Sequence, residues 1–279
     1  MIVKIAKESG FCFGVKRAMD MAWESLENKN SIYALGPLIH NKQAVSKYEE
    51  KGLLTVDSLE NIPNNESVII RSHGVGKDIY DFSNKKNLDI IDTTCPFVKK
   101  IHDIANRYYN LGYQIIVIGD KNHPEVIGIN GWCENNAIVI KTIDEANELV
   151  LNNDKKYCIV SQTTINLDLY ENIKSILEKK IKNITFNNTI CSATKVRQEA
   201  AKKLSKEVEC MIVIGGKHSS NTQKLVNICK ENVDTFSIET KNDLDINLLK
   251  AYNVVGISAG ASTPDWIIDE VVEFLENIL

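Results

Sequence analysis

Three of the seven cysteines occupy matching positions in a pattern that repeats along the chain. Cys12, Cys95 and Cys191 are each followed four residues later by a lysine, and then by apolar residues at helical spacings of three and four. A thiol at the start of a helix readily forms the thiolate that binds metals. A lone cysteine is usually a small buried hydrophobe. The repetition therefore favours metal binding.

Two kinds of metal centre could use three cysteines. Zinc could be held with its fourth position open, but zinc ligands usually come in close pairs such as Cys-x-x-Cys, which this sequence lacks. Three separate cysteines fit a cubane iron–sulfur cluster in which one iron has no protein ligand. Such an iron can bind a substrate oxygen as a Lewis acid. The pattern favours iron–sulfur, with zinc as the alternative.

The repeat also carries polar residues that could bind phosphate. At 24 residues after each cysteine, a glycine ends an apolar run, and a polar residue follows four positions later. A later apolar run in each repeat also ends in polar residues. The collected set is His40, Asn41, His73, His123, Glu125, Thr163, Ser219, Ser220, Asn221 and Ser262. A single one of these would be explained better by turn or capping roles. Together they favour a diphosphate site, and residues 219–221 precede a predicted helix that could bind an anion.

Glu125 is the only carboxylate in this set. The positions that match it in the other two repeats are Lys42 and Asn221. We therefore predict that Glu125 is the general acid and stays protonated near neutrality. The alternative is an acidic first-turn residue that complements the helix dipole after Pro124.

Among the other candidates, His102 and His218 are expected to be supporting or surface residues. Cys158 and Cys210 fall in strand patterns and are expected in the core.

The elements that must position these residues alternate between strands and helices. This alternation predicts an α/β fold of three similar units, each a parallel sheet flanked by helices. We expect the units to span residues 1–94, 95–190 and 191–279, each with one of the three cysteines, around a pseudo-threefold axis. Ligand sites gather at the carboxyl ends of parallel strands, so the cysteines and polar residues would surround a central cavity.

The bulk composition limits the partners and the location. The 279 residues are 43% hydrophobic and 25% charged, with a net charge of −4. These values are typical of a soluble globular protein and argue against nucleic acid as the main partner. No apolar run has the length of a membrane span, and the N-terminus lacks a signal-peptide core. Seven cysteines at wide spacings do not indicate disulfides. We expect a cytoplasmic protein without a membrane partner.

These motifs resemble the 4-hydroxy-3-methylbut-2-enyl diphosphate reductase family, the LytB-type iron–sulfur reductases of the non-mevalonate isoprenoid pathway. The resemblance runs essentially from end to end. It rests on residues 10–15, 36–41, 71–74, 92–96, 123–125, 161–164, 219–222 and 260–262, with weaker support from residues 189–194.

The resemblance implies one [4Fe–4S] cluster per chain on Cys12, Cys95 and Cys191, whose open fourth iron takes the substrate hydroxyl. It implies a diphosphate site made of His40, His73, Ser219, Ser220, Asn221 and Ser262, with His123 beside it. Glu125 would protonate the departing hydroxyl, and Thr163 would orient that group. Two electrons from ferredoxin or flavodoxin and two protons would yield isopentenyl and dimethylallyl diphosphates, the last step of the pathway.

Two rival functions use the same cysteine pattern. A cluster-dependent hydro-lyase also needs an open iron, but it needs no external reductant. A non-enzymatic redox or iron sensor would need neither Glu125 nor the diphosphate residues.

Overall fold

The computed structural model describes residues 1–39, 41–217 and 219–277. The strands are β1 (Ile2–Ile5), β2 (Ile32–Leu35), β3 (Leu53–Val56), β4 (Ser67–Ile70), β5 (Asp89–Asp92), β6 (Gln114–Ile118), β7 (Ile138–Ile140), β8 (Tyr157–Ser161), β9 (Ile184–Phe186), β10 (Cys210–Ile214), β11 (Asp234–Ile238) and β12 (Val254–Ala259). The α-helices are α1 (Phe13–Asn28), α2 (Lys42–Glu50), α3 (Lys77–Lys85), α4 (Pro96–Asn110), α5 (Pro124–Gly131), α6 (Ile143–Glu148), α7 (Leu167–Lys180), α8 (Ser192–Leu204), α9 (Ser220–Lys230), α10 (Ile246–Leu249) and α11 (Asp265–Asn277).

The strands form three four-stranded parallel sheets. Sheet 1 has the order β3-β2-β4-β5, sheet 2 the order β7-β6-β8-β9, and sheet 3 the order β11-β10-β12-β1. In each sheet, the strand after the helix that Cys12, Cys95 or Cys191 precedes pairs with the next two strands of the chain, one on either side. This confirms the predicted α/β class with three similar parallel sheets.

The fourth strand of each sheet leads into a cysteine. Sheet 1 ends with β5 before Cys95, and sheet 2 ends with β9 before Cys191. The corresponding strand of sheet 3 is β1, which precedes Cys12 and pairs with β12 from Ile2↔Val254 to Ile5↔Ile257. The start of the chain thus completes the sheet formed by its end. The predicted unit boundaries at residues 94 and 190 stay a prediction.

The central strands are buried on both faces, as parallel sheets covered by helices require. In β6, Ile116 and Ile118 pack into one apolar cluster with Ile159 of β8. Ile115 and Val117 point the other way, into a second cluster with Val160. This period of two places successive side chains on opposite faces of the sheet. The same alternation occurs in β10 of sheet 3.

The chain divides into two compact units. The first unit comprises residues 1–20, 37–52 and those from 192 onward, and it holds sheet 3 and α2. The second unit comprises residues 21–36 and 53–191, and it holds sheets 1 and 2. Within the described ranges, no helix combines the length and the apolar character needed to cross a membrane.

Candidate functional site

Glu125 and Thr163 form the most direct contact between predicted site residues of the second unit. Glu125 lies in the first turn of α5 and is 3% exposed. Its Oε1 accepts a hydrogen bond from the Thr163 backbone N–H at 2.6 Å, and its Oε2 accepts one from Thr163 Oγ1 at 2.7 Å. Thr163 follows β8, so the pair joins the carboxyl ends of β6 and β8. A buried carboxyl group beside a hydroxyl can pass a proton through that hydroxyl.

His123 caps the helix that carries Glu125. Its Nδ1 accepts a hydrogen bond from the Glu125 backbone N–H at 3.1 Å. In the neutral ring this hydrogen bond places the proton on Nε2. The ring of His73 lies edge-on to that of His123, with ring centroids 5.5 Å apart. The structure thus brings together His73, His123, Glu125 and Thr163.

All three predicted ligand cysteines make the same backbone hydrogen bond. The N–H of Cys95 donates to the carbonyl oxygen of Ser72 at 3.0 Å, that of Cys191 to Thr163 at 2.9 Å, and that of Cys12 to Ala261 at 3.2 Å. Each acceptor lies two residues beyond the third strand of its sheet, namely β4, β8 and β12. The repeat predicted from cysteine spacing thus extends to an identical contact. Each cysteine is fixed beside a loop that carries a predicted substrate residue: His73, Thr163 or Ser262.

The three cysteines also share a position at a helix start. Cys12, Cys95 and Cys191 directly precede α1, α4 and α8, and all three are partly exposed. The carbonyl oxygen of Cys12 accepts a hydrogen bond from the backbone N–H of Lys16 at 2.8 Å, and that of Cys95 accepts one from the backbone N–H of Lys99 at 2.9 Å. Each of the three cysteines therefore lies at the positive end of a helix dipole.

The other four cysteines are buried core residues, as predicted for Cys158 and Cys210. Burial raises the pKa of Cys133, Cys158 and Cys210 to about 12 and that of Cys229 to about 11. These thiols stay protonated and are poor metal ligands. Only the three repeat cysteines of this chain are both accessible and placed at helix starts.

The three repeat cysteines suit an iron–sulfur cluster better than a single metal ion. Among the described residues, no group of three or more His, Cys, Asp or Glu side chains could hold a single metal ion. A cluster takes each thiolate on a different iron, so its ligands need not converge on one atom. Three accessible thiols, one per repeat, with a hydroxyl and a carboxyl group bonded next to Cys191, are a donor set that fits such a cluster.

The first unit contains four of the predicted phosphate-binding residues, namely Ser219, Ser220, Asn221 and Ser262. Ser219 caps α9, with its side-chain oxygen accepting from the Thr222 N–H. Asn221 is 5% exposed, and neither its Oδ1 nor its Nδ2 has a hydrogen-bond partner in the described structure. A buried amide without partners is costly unless a ligand satisfies it. Gly260 packs directly on the Thr222 hydroxyl, which brings the Ser262 loop against the start of α9. His40 and His218 lie outside the described residues.

Sequence reasoning missed the residue that links the Thr163 loop to β6. Gln162 is 2% exposed; its Oε1 accepts from the Asp120 N–H at 3.2 Å, and its Nε2 donates to Thr164 Oγ1 at 3.1 Å. Its place between Ser161 and Thr163 in the polar strand end was the available signal. An amide with two fixed bonds there holds the loop that carries Thr163.

His102 is one of the supporting residues that the sequence suggested. It is buried, stacks on Trp132 at 5.7 Å, and lies against Gly74 and Gly128. Gly74 has φ +69°, and a Cβ there would lie 2.4 Å from His102 Cε1, so only glycine fits. One ring therefore contacts the loop after His73 and the helix that carries Glu125. It does so from α4, the helix that Cys95 begins.

Nearly the whole chain is similar to one family of known proteins. The model of the LytB protein family matches residues 3–276. The 4-hydroxy-3-methylbut-2-enyl diphosphate reductase of Clostridioides difficile (strain 630) is 65% identical over 279 residues, covering 100% of both chains.

Two solved structures are also similar over nearly the whole chain. The E-1-hydroxy-2-methyl-but-2-enyl-4-diphosphate reductase of Plasmodium falciparum has a TM-score of 0.93 and 32% identity, covering 99% of this chain and 88% of the other. A (E)-4-hydroxy-3-methyl-but-2-enyl diphosphate reductase, described as the terminal enzyme of the non-mevalonate pathway, has a TM-score of 0.74 and 41% identity, covering 99% of both chains. The chain therefore belongs to the LytB protein family, a family of iron–sulfur 4-hydroxy-3-methylbut-2-enyl diphosphate reductases.

Proposed function

We propose that this chain removes the hydroxyl group of 4-hydroxy-3-methylbut-2-enyl diphosphate with two electrons and two protons, giving water and isopentenyl or dimethylallyl diphosphate. Cys12, Cys95 and Cys191 hold a [4Fe–4S] cluster for this reaction. The observation that carries the proposal is the bonding around Thr163. Its hydroxyl and N–H bind the buried Glu125 carboxyl group, and its carbonyl oxygen accepts from Cys191. An acid, an orienting hydroxyl and a ligand cysteine thus meet at one residue.

The bound cluster would supply the two electrons and a Lewis-acidic iron beside the departing hydroxyl. The protein must supply protons and hold the substrate. Glu125 is the proton donor, because it is the buried carboxyl group in this set of residues. Thr163 Oγ1 donates to Glu125 Oε2 in the structure. When Glu125 is protonated this hydrogen bond reverses, so Oγ1 can receive the Glu125 proton while passing its own to the leaving oxygen. That oxygen leaves as water when the carbon–oxygen bond breaks, and the second proton adds to the allylic carbon.

The diphosphate is held by histidine, amide and hydroxyl donors. His73 and His123 supply ring N–H groups, and Asn221 supplies an amide whose donor and acceptor both lack partners among the described residues. Ser219, Ser220 and Ser262 supply hydroxyls, and the 11-residue helix α9 adds backbone N–H groups and its dipole. His40 is assigned the same role from the sequence.

The electrons come from a ferredoxin or flavodoxin, and this requirement gives the decisive test. Anaerobically purified protein is incubated with the allylic diphosphate in the presence and absence of a reduced dithionite–viologen couple. We expect isopentenyl and dimethylallyl diphosphates only when the reductant is present. Conversion of the substrate without any electron donor would contradict the reductase proposal and favour the hydro-lyase alternative.

A further inference from the structure

The second unit contains a cavity that the predicted reaction does not use. Its volume is about 470 Å³, within the range of small-molecule sites. Apolar side chains of Leu35, Val75, Ile79, Phe82 and Ile127 line it, together with Arg71. None of its lining residues belongs to the predicted cluster or substrate site. The cavity is therefore a separate space at the carboxyl end of sheet 1.

Arg71 is the unusual group in this cavity. Its Nε is buried and has no hydrogen-bond partner among the described residues. Desolvation lowers the pKa of its guanidinium, and no charged neighbour offsets that effect. The side chain packs over Gly36, where a Cβ would lie 2.8 Å from Nη1, and φ is +70°. A partly desolvated cation without a carboxylate partner among the described residues is costly unless an anion binds to it.

The position of Arg71 in the sheet points to a ligand as well. Arg71 follows β4 directly, and Gly36 follows β2 directly. In sheet 1 the chain runs from β2 outward to β3 and then returns to β4 on the other side of β2. The gap between β2 and β4 is thus the point where the strand order reverses, which is where open parallel sheets bind ligands.

The acidic residues around the cavity restrict the charge of that ligand. Asp57, Glu60 and Asp78 also line it, and all three are exposed. These three exposed carboxylates repel a phosphate ester more strongly than they repel a monocarboxylate ligand, because the ester carries up to two negative charges and the monocarboxylate carries one. The guanidinium matches the two oxygens of a carboxylate in a bidentate pair.

We propose that this cavity binds a small monocarboxylate with an apolar body, its carboxylate on Arg71 and its chain against Val75, Ile79 and Phe82. Sodium hexanoate is a suitable probe, and isothermal titration calorimetry on the anaerobically purified holoprotein measures its binding. We expect hexanoate to bind, 1-hexanol to bind at least tenfold more weakly, and hexyl phosphate to bind more weakly than hexanoate. Tighter binding of hexyl phosphate, or equal binding of hexanol, would overturn the assignment of a monocarboxylate.

Variants locate the binding. Arg71→Gln should weaken hexanoate binding at least tenfold. Asp57→Asn, on the exposed rim, should strengthen it by about twofold at low salt, because one repulsive charge is removed. This second variant keeps the test decisive if Arg71→Gln does not fold.

Asn221→Ala, in the predicted diphosphate site, should leave hexanoate affinity unchanged. A loss of binding in Asn221→Ala, or no change in Arg71→Gln and Asp57→Asn, would reject the cavity as the site. The proposal stands independently of the reductase reaction.

Discussion

Glu125 directs both of its carboxyl oxygens at a single residue, Thr163, one to the backbone N–H and one to the side-chain hydroxyl. The two residues are 38 positions apart in the chain. Because Glu125 is buried, this contact decides how its proton can leave. The hydroxyl of Thr163 lies 2.7 Å from Oε2 and can accept a proton from a protonated Glu125, and the following predictions test that route.

Glu125→Gln keeps the size of the side chain but removes the transferable proton. We expect turnover to fall by about 10² to 10⁴ while the cluster stays intact. Anaerobic turnover, with iron content and visible absorption as the control for the cluster, measures both. Wild-type turnover in this variant would reject the acid role.

Thr163→Val removes the hydroxyl but keeps the backbone N–H, whereas Thr163→Ser keeps both. We expect Thr163→Val to lose roughly tenfold or more in turnover and Thr163→Ser to stay close to wild type. In the double variant Thr163→Val with Glu125→Gln, the loss of turnover should be far less than the product of the two single losses. The reason is that both residues lie on one proton route. Fully multiplicative losses would show that the two residues act independently.

Asn221 offers a test that separates binding from folding. Asn221→Leu replaces a buried amide, whose two polar atoms lack partners within the part of the chain that the structure describes, with an apolar group of similar size. We expect the free energy of unfolding to stay the same or rise by up to about 1 kcal/mol, while KM for the diphosphate rises roughly tenfold or more. Thermal unfolding and steady-state kinetics measure the two effects. A less stable variant with unchanged KM would assign Asn221 a structural role instead.

His102 makes stability depend on pH. Burial lowers its pKa from 6.5 to about 4, with Asp92 acting to raise it and Lys99 to lower it. The unfolded chain therefore binds more protons between pH 6.5 and 4, so folding stability is lost as the pH falls through this window. The full effect is about 3 kcal/mol. Denaturant unfolding at pH 7 and pH 4.5 should show a smaller pH-dependent loss for His102→Leu than for wild type. Equal losses would mean that His102 does not titrate in this way.

The repeat could be predicted from the sequence because its signals are local. The offset of 24 residues from each cysteine to a strand-end glycine reflects one helix followed by one strand, and both are visible in apolar spacing. The helix-start position of the three cysteines and the buried setting of Cys158 and Cys210 followed from the same patterns. These features depend on elements that are adjacent in the chain.

Contacts between distant segments could not be predicted in this way. Nothing in residues 2–5 indicates that β1 pairs with β12, because any parallel neighbour would satisfy its backbone groups. The shared hydrogen bond of the three cysteines joins loops through main-chain atoms, which carry no sequence signal. That Arg71 Nε has no hydrogen-bond partner among the described residues also could not be predicted from the sequence, because this depends on which acidic side chains fold close to it.

Iron and acid-labile sulfide content after anaerobic purification tests the central claim most directly. We expect about four of each per wild-type chain. Replacement of Cys12, Cys95 or Cys191 by alanine should abolish or strongly reduce both, while Cys158→Ala, a matched control in the core, should retain them. A full complement of iron and sulfide in any of the three variants, or zinc in place of iron in the wild type, would contradict a cubane held by these cysteines.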